Sequence, residues 1–499
     1  MFRQWTAQLR ATVRKWLTDG FRPCTFDQRL LLVLSTLSLT LASCDPPLSP
    51  PSAQETDRDG GIADAGPSHP AARTTASISG TVWAPGNSPV LVIEKDPQSF
   101  REEAIPVSRA LVYLSDERPA PIPEGVYCEP CVEQPKRSTL SDAKGNFRLV
   151  NVLPGEYWLV IQKAHFRFER KIKLLPGADV ELPEGHTTLP SVHDPANGKW
   201  VPTIALAEGN GDRLEALLCK MGMGKLTSDY IVVPSAMASH IDVYNNVGDG
   251  NGGYIEGRLT SIAKGTMEDL VSNASLMMKY QLILIPSTLG PTSPLLNEVV
   301  RENIRAYVRA GGKLYVTDVS APWEDAVFPE FIVFPQGRDI STDELIIPGN
   351  GPHDRYASKH ARAVDPDLAA WLQLQVAPMV SVGPENSPDF WTISNYIDDN
   401  DFSVIDSWTL IEDTPVIATG EEPGNQGVRQ AKHWVVGDRL PDGSVGPLVV
   451  TFEPTGCGRV YYSTHQTSRF RHRGLIAQER VLLYLMLDQS ICDSGIPID

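Results

Sequence analysis

Three side chains in this 499-residue chain have the types that nucleophilic hydrolysis needs: Ser320, Asp318 two positions before it, and the distant His465. A serine hydroxyl attacks a carbonyl only when a hydrogen-bonded base takes its proton and an acid orients that base. His465 is the candidate base and Asp318 the candidate acid. The competing expectation is structural, with Asp318 and Ser320 capping the next segment and His465 bonding to backbone. Elsewhere, Asp398-Asp399-Asn400-Asp401 has the carboxylates for calcium but no regular loop spacing, which predicts a solvated acidic turn. His353 and His360 are seven apart with no third ligand to complete a metal site. Cys128-Glu129-Pro130-Cys131 is half a zinc site, a redox pair or a local disulfide; no second CxxC and no βαβ context lies nearby, so outside the cytoplasm a Cys128–Cys131 staple is expected. The loop at 248–253 (GDGNGG) is neither a phosphate loop nor a dinucleotide fingerprint, because no buried strand feeds it and no Gly-Lys-Ser/Thr ends it. No cofactor is expected.

For Asp318, Ser320 and His465 to converge, a sheet must bring two strand ends together, and residues 280–318 supply its centre. Residues 281–287 (QLILIPS) form a short apolar run, the pattern of a strand buried on both faces. Thr292 or Ser293 can cap a helix with Pro294 in its first turn, and Leu296, Val300, Ile304, Tyr307 and Val308 recur at helical spacing. Arg305 and Arg309 suit the last turn, and Gly311-Gly312 stop the helix where a positive φ is needed. Residues 313–318 (KLYVTD) make a second buried strand. This βαβ unit predicts a parallel sheet with a right-handed crossover. Further strands are expected at 203–207, 241–244, 415–418, 433–436, 448–452 and 459–462. Helices are expected at 211–221, 267–279 and 368–374, with an amphipathic closing helix at 475–487.

Length predicts two or three domains, and 41% apolar residues with ten Trp can fill their cores. Residues 1–43 carry six basic and two acidic side chains, so removing their +4 from the net −17 leaves about −21. A surface that acidic repels phosphate backbones, which excludes nucleic acid as the expected partner.

Residues 30–42 (LLLVLSTLSLTLA) are too short to span a bilayer comfortably but fit the apolar region of a signal peptide. They end in Leu41-Ala42-Ser43-Cys44, which resembles the lipobox of bacterial lipoproteins. The resemblance implies cleavage of 1–43, lipidation of Cys44 and a membrane partner reached through acyl chains, each buried methylene contributing about 0.8 kcal/mol. Residues 44–75, rich in Pro, Gly, Ser and Asp, are expected to be a disordered tether spanning on the order of 30 Å. The implied address is the cell envelope outside the cytoplasm, periplasm or cell surface.

From 76 to 190 the pattern is of short alternating strands with turn signals between them and no helical run, which predicts an antiparallel β-sandwich. Gly80, Ala110-Val112-Leu114, Thr139-Asp142-Gly145-Phe147 and Leu153-Gly155-Tyr157 resemble the carboxypeptidase regulatory-like (transthyretin-like) domain. The family implies fold but not ligand; its Asp and Gly make turns.

From 202 to 492 the succession of strands and helices resembles the class I glutamine amidotransferase-like, flavodoxin-like α/β fold, with a long insertion at about 323–414. In that family a GxCxG elbow presents a nucleophilic Cys, and a His-x-Glu follows the last strand. Here the elbow reads Thr317-Asp318-Val319-Ser320-Ala321, and the other region reads His465-Gln466-Thr467. The thiol, its glycines and the Glu are absent, so the resemblance implies a lost nucleophile. It also implies that Cys457 and Cys492 lie at the opposite end of the sheet and pair there, with Cys219 a buried thiol. The expected whole is a multidomain, lipid-anchored binding or scaffolding protein whose partner is an envelope protein or polysaccharide. A carbohydrate binder using the sandwich and a hydrolase using Ser320 and His465 are the alternatives.

Overall fold

A computed structural model describes residues 74–86, 105–128, 135–209, 212–246, 259–288, 291–334, 359–373, 380–382, 391–393, 401–404, 409–418, 428–438, 445–454, 457–467, 471–472 and 474–488. Strands and helices are mixed, as expected. The N-terminal strands are β1 (Ala76–Thr81), β2 (Leu111–Ser115), β3 (Ser138–Leu140), β4 (Asn146–Val152), β5 (Gly155–Lys163), β6 (Phe166–Leu174), β7 (Asp179–Glu181) and β8 (Lys199–Trp200). They form a three-stranded sheet, β4-β1-β7, and a five-stranded sheet, β3-β2-β5-β6-β8. Ile78, Phe147 and Leu149 of the first share a buried cluster with Val112, Leu159 and Ile161 of the second. The turn before β4 forms as its residues predict: Asp142 Oδ1 accepts from the Lys144 and Asn146 N–H groups, and Gly145 takes a φ of +77°.

The next elements are β9 (Ile204–Glu208), α1 (Leu214–Lys220), β10 (Ile241–Asn245), β11 (Ala263–Thr266), α2 (Met267–Val271), α3 (Ala274–Met277), β12 (Leu282–Ile285), α4 (Glu298–Arg309) and β13 (Lys313–Thr317). After them come α5 (Pro322–Asp325), β14 (Lys359–Ala363), α6 (Pro366–Gln373), β15 (Val380–Val382), β16 (Trp391–Ile393), β17 (Asp401–Val404), β18 (Ile417–Ala418), β19 (Val428–Arg429), β20 (Lys432–Asp438), β21 (Val445–Phe452), β22 (Arg459–Ser463) and α7 (Ala477–Leu487). Ten strands join one sheet in the order β11-β10-β9-β12-β13-β22-β21-β20-β14-β17. The first six are mutually parallel, as the βαβ pattern predicts, and the last four continue antiparallel. Side chains alternate across the parallel part. Ile204, Leu206, Leu282, Leu284, Tyr315 and Tyr461 face one core; Ala205, Ile283, Ile285, Val316 and Tyr462 face the other.

Several expectations need correction. The central helix starts at Glu298, not after Thr292 or Ser293: Asn297 Oδ1 caps it by accepting from Val299 N–H at 3.0 Å, and Ser293–Leu296 is a separate 3-10 turn. The stretch at 267–279 is two short helices, broken where Asn273 caps the second. The segment expected as an insertion at 323–414 gives β14 and β17 to the main sheet. The closing helix is not amphipathic in place, because all eleven residues of α7 are buried. Trp371 and Trp434 lie 5.3 and 6.1 Å from the Tyr484 ring, and Lys163 of β5 pairs with Asp488 at 3.0 Å. The helix is covered on both sides. Among the described residues no helix is long and apolar enough to cross a membrane.

The cysteines also pair differently. Cys128 bonds Cys457, with Cα atoms 5.5 Å apart, which replaces both the Cys128–Cys131 and the Cys457–Cys492 expectations. Cys457 does lie before β22, at the end where the strands begin. What meets it there is the loop between β2 and β3. Gln281 Nε2 donates to Pro123 O and Val126 N–H to Met278 O, so residues 123–128 run along that end. Gly311, at φ +111°, leaves the space that Tyr127 O occupies; a Cβ there would overlap that carbonyl. Cys219 is a buried free thiol, and burial pushes it up to about 12. Cys44, Cys131, Asp398, Asp399, Cys492, His353, the loop at 248–253 and the segments 1–43 and 44–73 lie outside the described residues.

Candidate functional site

The C-terminal ends of β9, β12, β13 and β22 come together at one edge of the sheet, the edge where α/β folds place their sites. Asp318 follows β13 in the left-handed region, φ +45°, which Asp tolerates better than most residues, and it is fully buried. Its Oδ1 accepts from Thr409 N–H at 2.9 Å and Thr409 Oγ1 at 3.1 Å, and its Oδ2 accepts from Gln466 Nε2 at 2.7 Å. Its own carbonyl accepts from Tyr462 OH at 3.1 Å. The carboxylate thus ties three separate segments together.

Ser320 is equally committed. Its hydroxyl has one proton, and that proton goes to Pro286 O at 2.8 Å; its oxygen accepts from Thr288 N–H at 3.2 Å. The side chain clamps the turn after β12 to the turn after β13. His465 is buried, and its backbone N–H and C=O both bond Ser463 Oγ, at 3.2 and 2.8 Å. The structure therefore brings Asp318 and Ser320 to one edge with His465, but gives the serine proton to a carbonyl and the carboxylate to Thr409 and Gln466. The arrangement can cross-link strand ends; in this state Ser320 has no proton to give a base.

Asp212, just beyond β9, was not singled out by sequence. It is buried, with Oδ1 accepting from Arg213 N–H at 2.7 Å, Thr467 N–H at 3.0 Å and Thr467 Oγ1, and Oδ2 accepting from Thr317 Oγ1 at 2.8 Å. Burial pushes it up to about 6 although these donors pull the other way. Thr467 serves here as a donor to this carboxylate. The only sequence signal was an Asp following a glycine near a strand end. Glu208, at the last position of β9, accepts from Leu259 N–H at 2.7 Å and Thr260 Oγ1 at 2.8 Å.

Of the calcium candidates only Asp401 is described, and it pairs with Arg362 at 2.6 Å and with His360 at 3.3 Å. Arg362 and His360 occupy the carboxylate that a metal would need. Among the described residues no group of three His, Cys, Asp or Glu side chains is placed to hold a metal.

No family model matches the chain, and no curated protein matches it. Among solved structures it is similar to a cytoplasmic protein of Salmonella typhimurium, at 12% identity over 54% of this chain and 90% of that one, TM-score 0.25. It is also similar to a GH42 beta-galactosidase (13% identity, 59% and 31% covered, TM-score 0.22) and to a type II cohesin–X-dockerin complex from Acetivibrio cellulolyticus (16%, 31% and 78%, TM-score 0.13). Likeness at these scores carries no argument about this chain.

Proposed function

We propose that this chain is a lipid-anchored protein of the cell envelope that binds or scaffolds, through a carboxypeptidase regulatory-like sandwich and a catalytically degenerate amidotransferase-like α/β domain. The observation that carries the degenerate reading is the fate of the Ser320 proton, which is spent on Pro286 O instead of on a base. The position of the family's thiol has no sulfur, and the nearby carboxylates are saturated by hydroxyl and amide donors. The envelope address rests on the sequence ending in Cys44. Its partners on this reading are the membrane, through acyl chains, and an envelope protein or polysaccharide.

The sugar-binding alternative needs a row of exposed aromatics. Among the described residues the exposed large apolar side chains are all Val or Leu, and Trp158 is covered by the Arg118 guanidinium at 5.3 Å. The hydrolase alternative needs a freed Ser320. The deciding experiment assays the purified chain and Ser320→Ala against glutamine and ester substrates, expecting no turnover from either. Hydrolysis by the parent that Ser320→Ala abolishes would refute the proposal. Fractionation of Cys44→Ser tests the anchor separately: unchanged membrane partitioning and processing sink it.

A further inference from the structure

Two turns of the N-terminal sheets carry the same tripeptide. Leu153-Pro154-Gly155 leads from β4 into β5, and Leu175-Pro176-Gly177 leads from β6 towards β7. Both leucines face water, at 48% and 60% exposure, and they are the only exposed leucines among the described residues. Val150, just before the first turn, is exposed as well. The turns lie at one end of the sheets, because Gly155 pairs with Leu174 across β5 and β6. The start of β1 lies at that end too. Ala76 pairs with Val152, Ser77 N–H donates to Ala178 O at 2.8 Å, and a Cβ on Gly177 would stand 3.3 Å from Thr74 Cγ2. Residues 44–73, which lead from Cys44, therefore join the described chain beside the two leucine turns.

Apolar side chains scattered singly over a surface need no explanation, but a matched pair at one end, with a third beside it, is an apolar tip. Proline restricts each turn in advance, so docking there loses little conformational entropy. The charge at this end also differs from that of the chain as a whole, which is net −17. Glu156 pairs with Lys171 at 3.0 Å and Asp179 with Arg148 at 2.9 Å. Lys173, exposed and in register with Glu156, makes three cations against those two carboxylates. An anionic headgroup layer that repels most of an acidic surface does not repel this part of it. We propose that this end of the N-terminal sheets docks on a lipid bilayer, with Leu153 and Leu175 entering the boundary between headgroups and acyl chains and Lys173 among the phosphates. Docking rests on the proposed anchor at Cys44 to bring the chain to the bilayer. It adds that the N-terminal sheets are held against the membrane, with one particular end down.

The test places a nitrobenzoxadiazole fluorophore on Pro176→Cys, next to Leu175, and on Lys144→Cys, in the turn at the far end of β4; both positions are exposed. Cys219 is buried, and the unsubstituted chain labelled alike gives the blank. The full chain is reconstituted with vesicles of phosphatidylcholine and phosphatidylglycerol that carry a nitroxide-labelled lipid, and flotation with the vesicles is read alongside. Quenching at position 176 about fivefold that at 144 is expected. Leu153→Ser with Leu175→Ser should cut it about threefold or more with the melting temperature unchanged, since both leucines are exposed. Flotation without greater quenching at 176 than at 144 overturns docking and leaves the anchor standing. Quenching without flotation supports docking and refutes the anchor, and loss of both overturns both. Quenching that survives the double serine variant also overturns docking. So does a label at 176 that is shielded without lipid in a particle of twice the chain's mass, which would put a second copy on this end.

Discussion

Strand β13 is held in opposite ways at its two ends. Where it finishes, Asp318 and Ser320 gather donors and acceptors from the segments after β12, β17 and β22, and every link is a hydrogen bond to one of their side chains. Where it begins, at Lys313, the neighbours are Gly311, Gly312 and Gly458, and backbone packs on backbone with a disulfide alongside. The end rich in chemistry-bearing residues is a polar lock. The other end, where glycines let backbone approach backbone, receives the loop between β2 and β3. Residue type alone therefore misleads about which end does what: carboxylates and hydroxyls at a sheet edge cross-link it when their partners are already inside the fold.

The contrast can be broken at several points, the largest effect first. Gly458→Ala should be the most damaging, because a Cβ there overlaps Val308 O and Gly312 O, both backbone. A loss of about 5 kcal/mol, or no soluble protein, is expected in chemical denaturation. Asp318→Ala removes three accepted bonds and strands Thr409 and Gln466 in the interior, for about 4 kcal/mol. A loss below about 1 kcal/mol would mean the polar end is not a lock. Breaking the disulfide with Cys128→Ser should lower stability by about 3 kcal/mol. A non-reduced digest should yield a peptide joining 128 to 457, and one joining 457 to 492 would restore the other pairing.

Asp212 sharpens the comparison through pH. Its native pKa of about 6 lies above the ordinary 3.8, so the folded state holds the proton more tightly than the unfolded chain. The stability this contributes is complete below about pH 4 and is lost as pH rises through 6. The change reaches about 3 kcal/mol. Asp212→Asn should flatten that part of the stability profile relative to the parent, whereas Glu479 and His240 act oppositely on acidification, in both proteins alike. An unchanged difference curve between pH 4 and 6 would remove Asp212 from the account. Smallest of all, Ser320→Ala should cost about 2 kcal/mol in urea unfolding, the worth of its two buried hydrogen bonds.

The parallel sheet was legible because each of its parts carries its own period. Leu282 to Ile285 is apolar throughout, and Val300, Ile304, Tyr307 and Val308 mark one helix face. The start of α4 was misplaced by a turn because Ser293-Pro294 and Asn297 both read as helix starts, and only tertiary packing chooses between them. The partners of Asp318 and Asp212 were not legible: Thr409 is 91 positions from Asp318, and Thr467 is 255 from Asp212. No local pattern announces such pairs. For the disulfide, the end of the sheet at which Cys457 sits could be inferred. Its partner could not, since nothing local in residues 123–128 says that they lie against Gly311.

The Cys128–Cys457 bond also changes what the chain is as a molecule. It closes a covalent ring between cysteines separated by 329 in sequence, with every strand from β3 to β21 inside it. A protease that cuts once anywhere inside that ring leaves a single species of unchanged mass, apart from one added water, until a reductant separates the pieces. Nicked chains would stay attached to whatever holds their N-terminal part, and the ring makes the second cut, not the first, the one that releases a fragment.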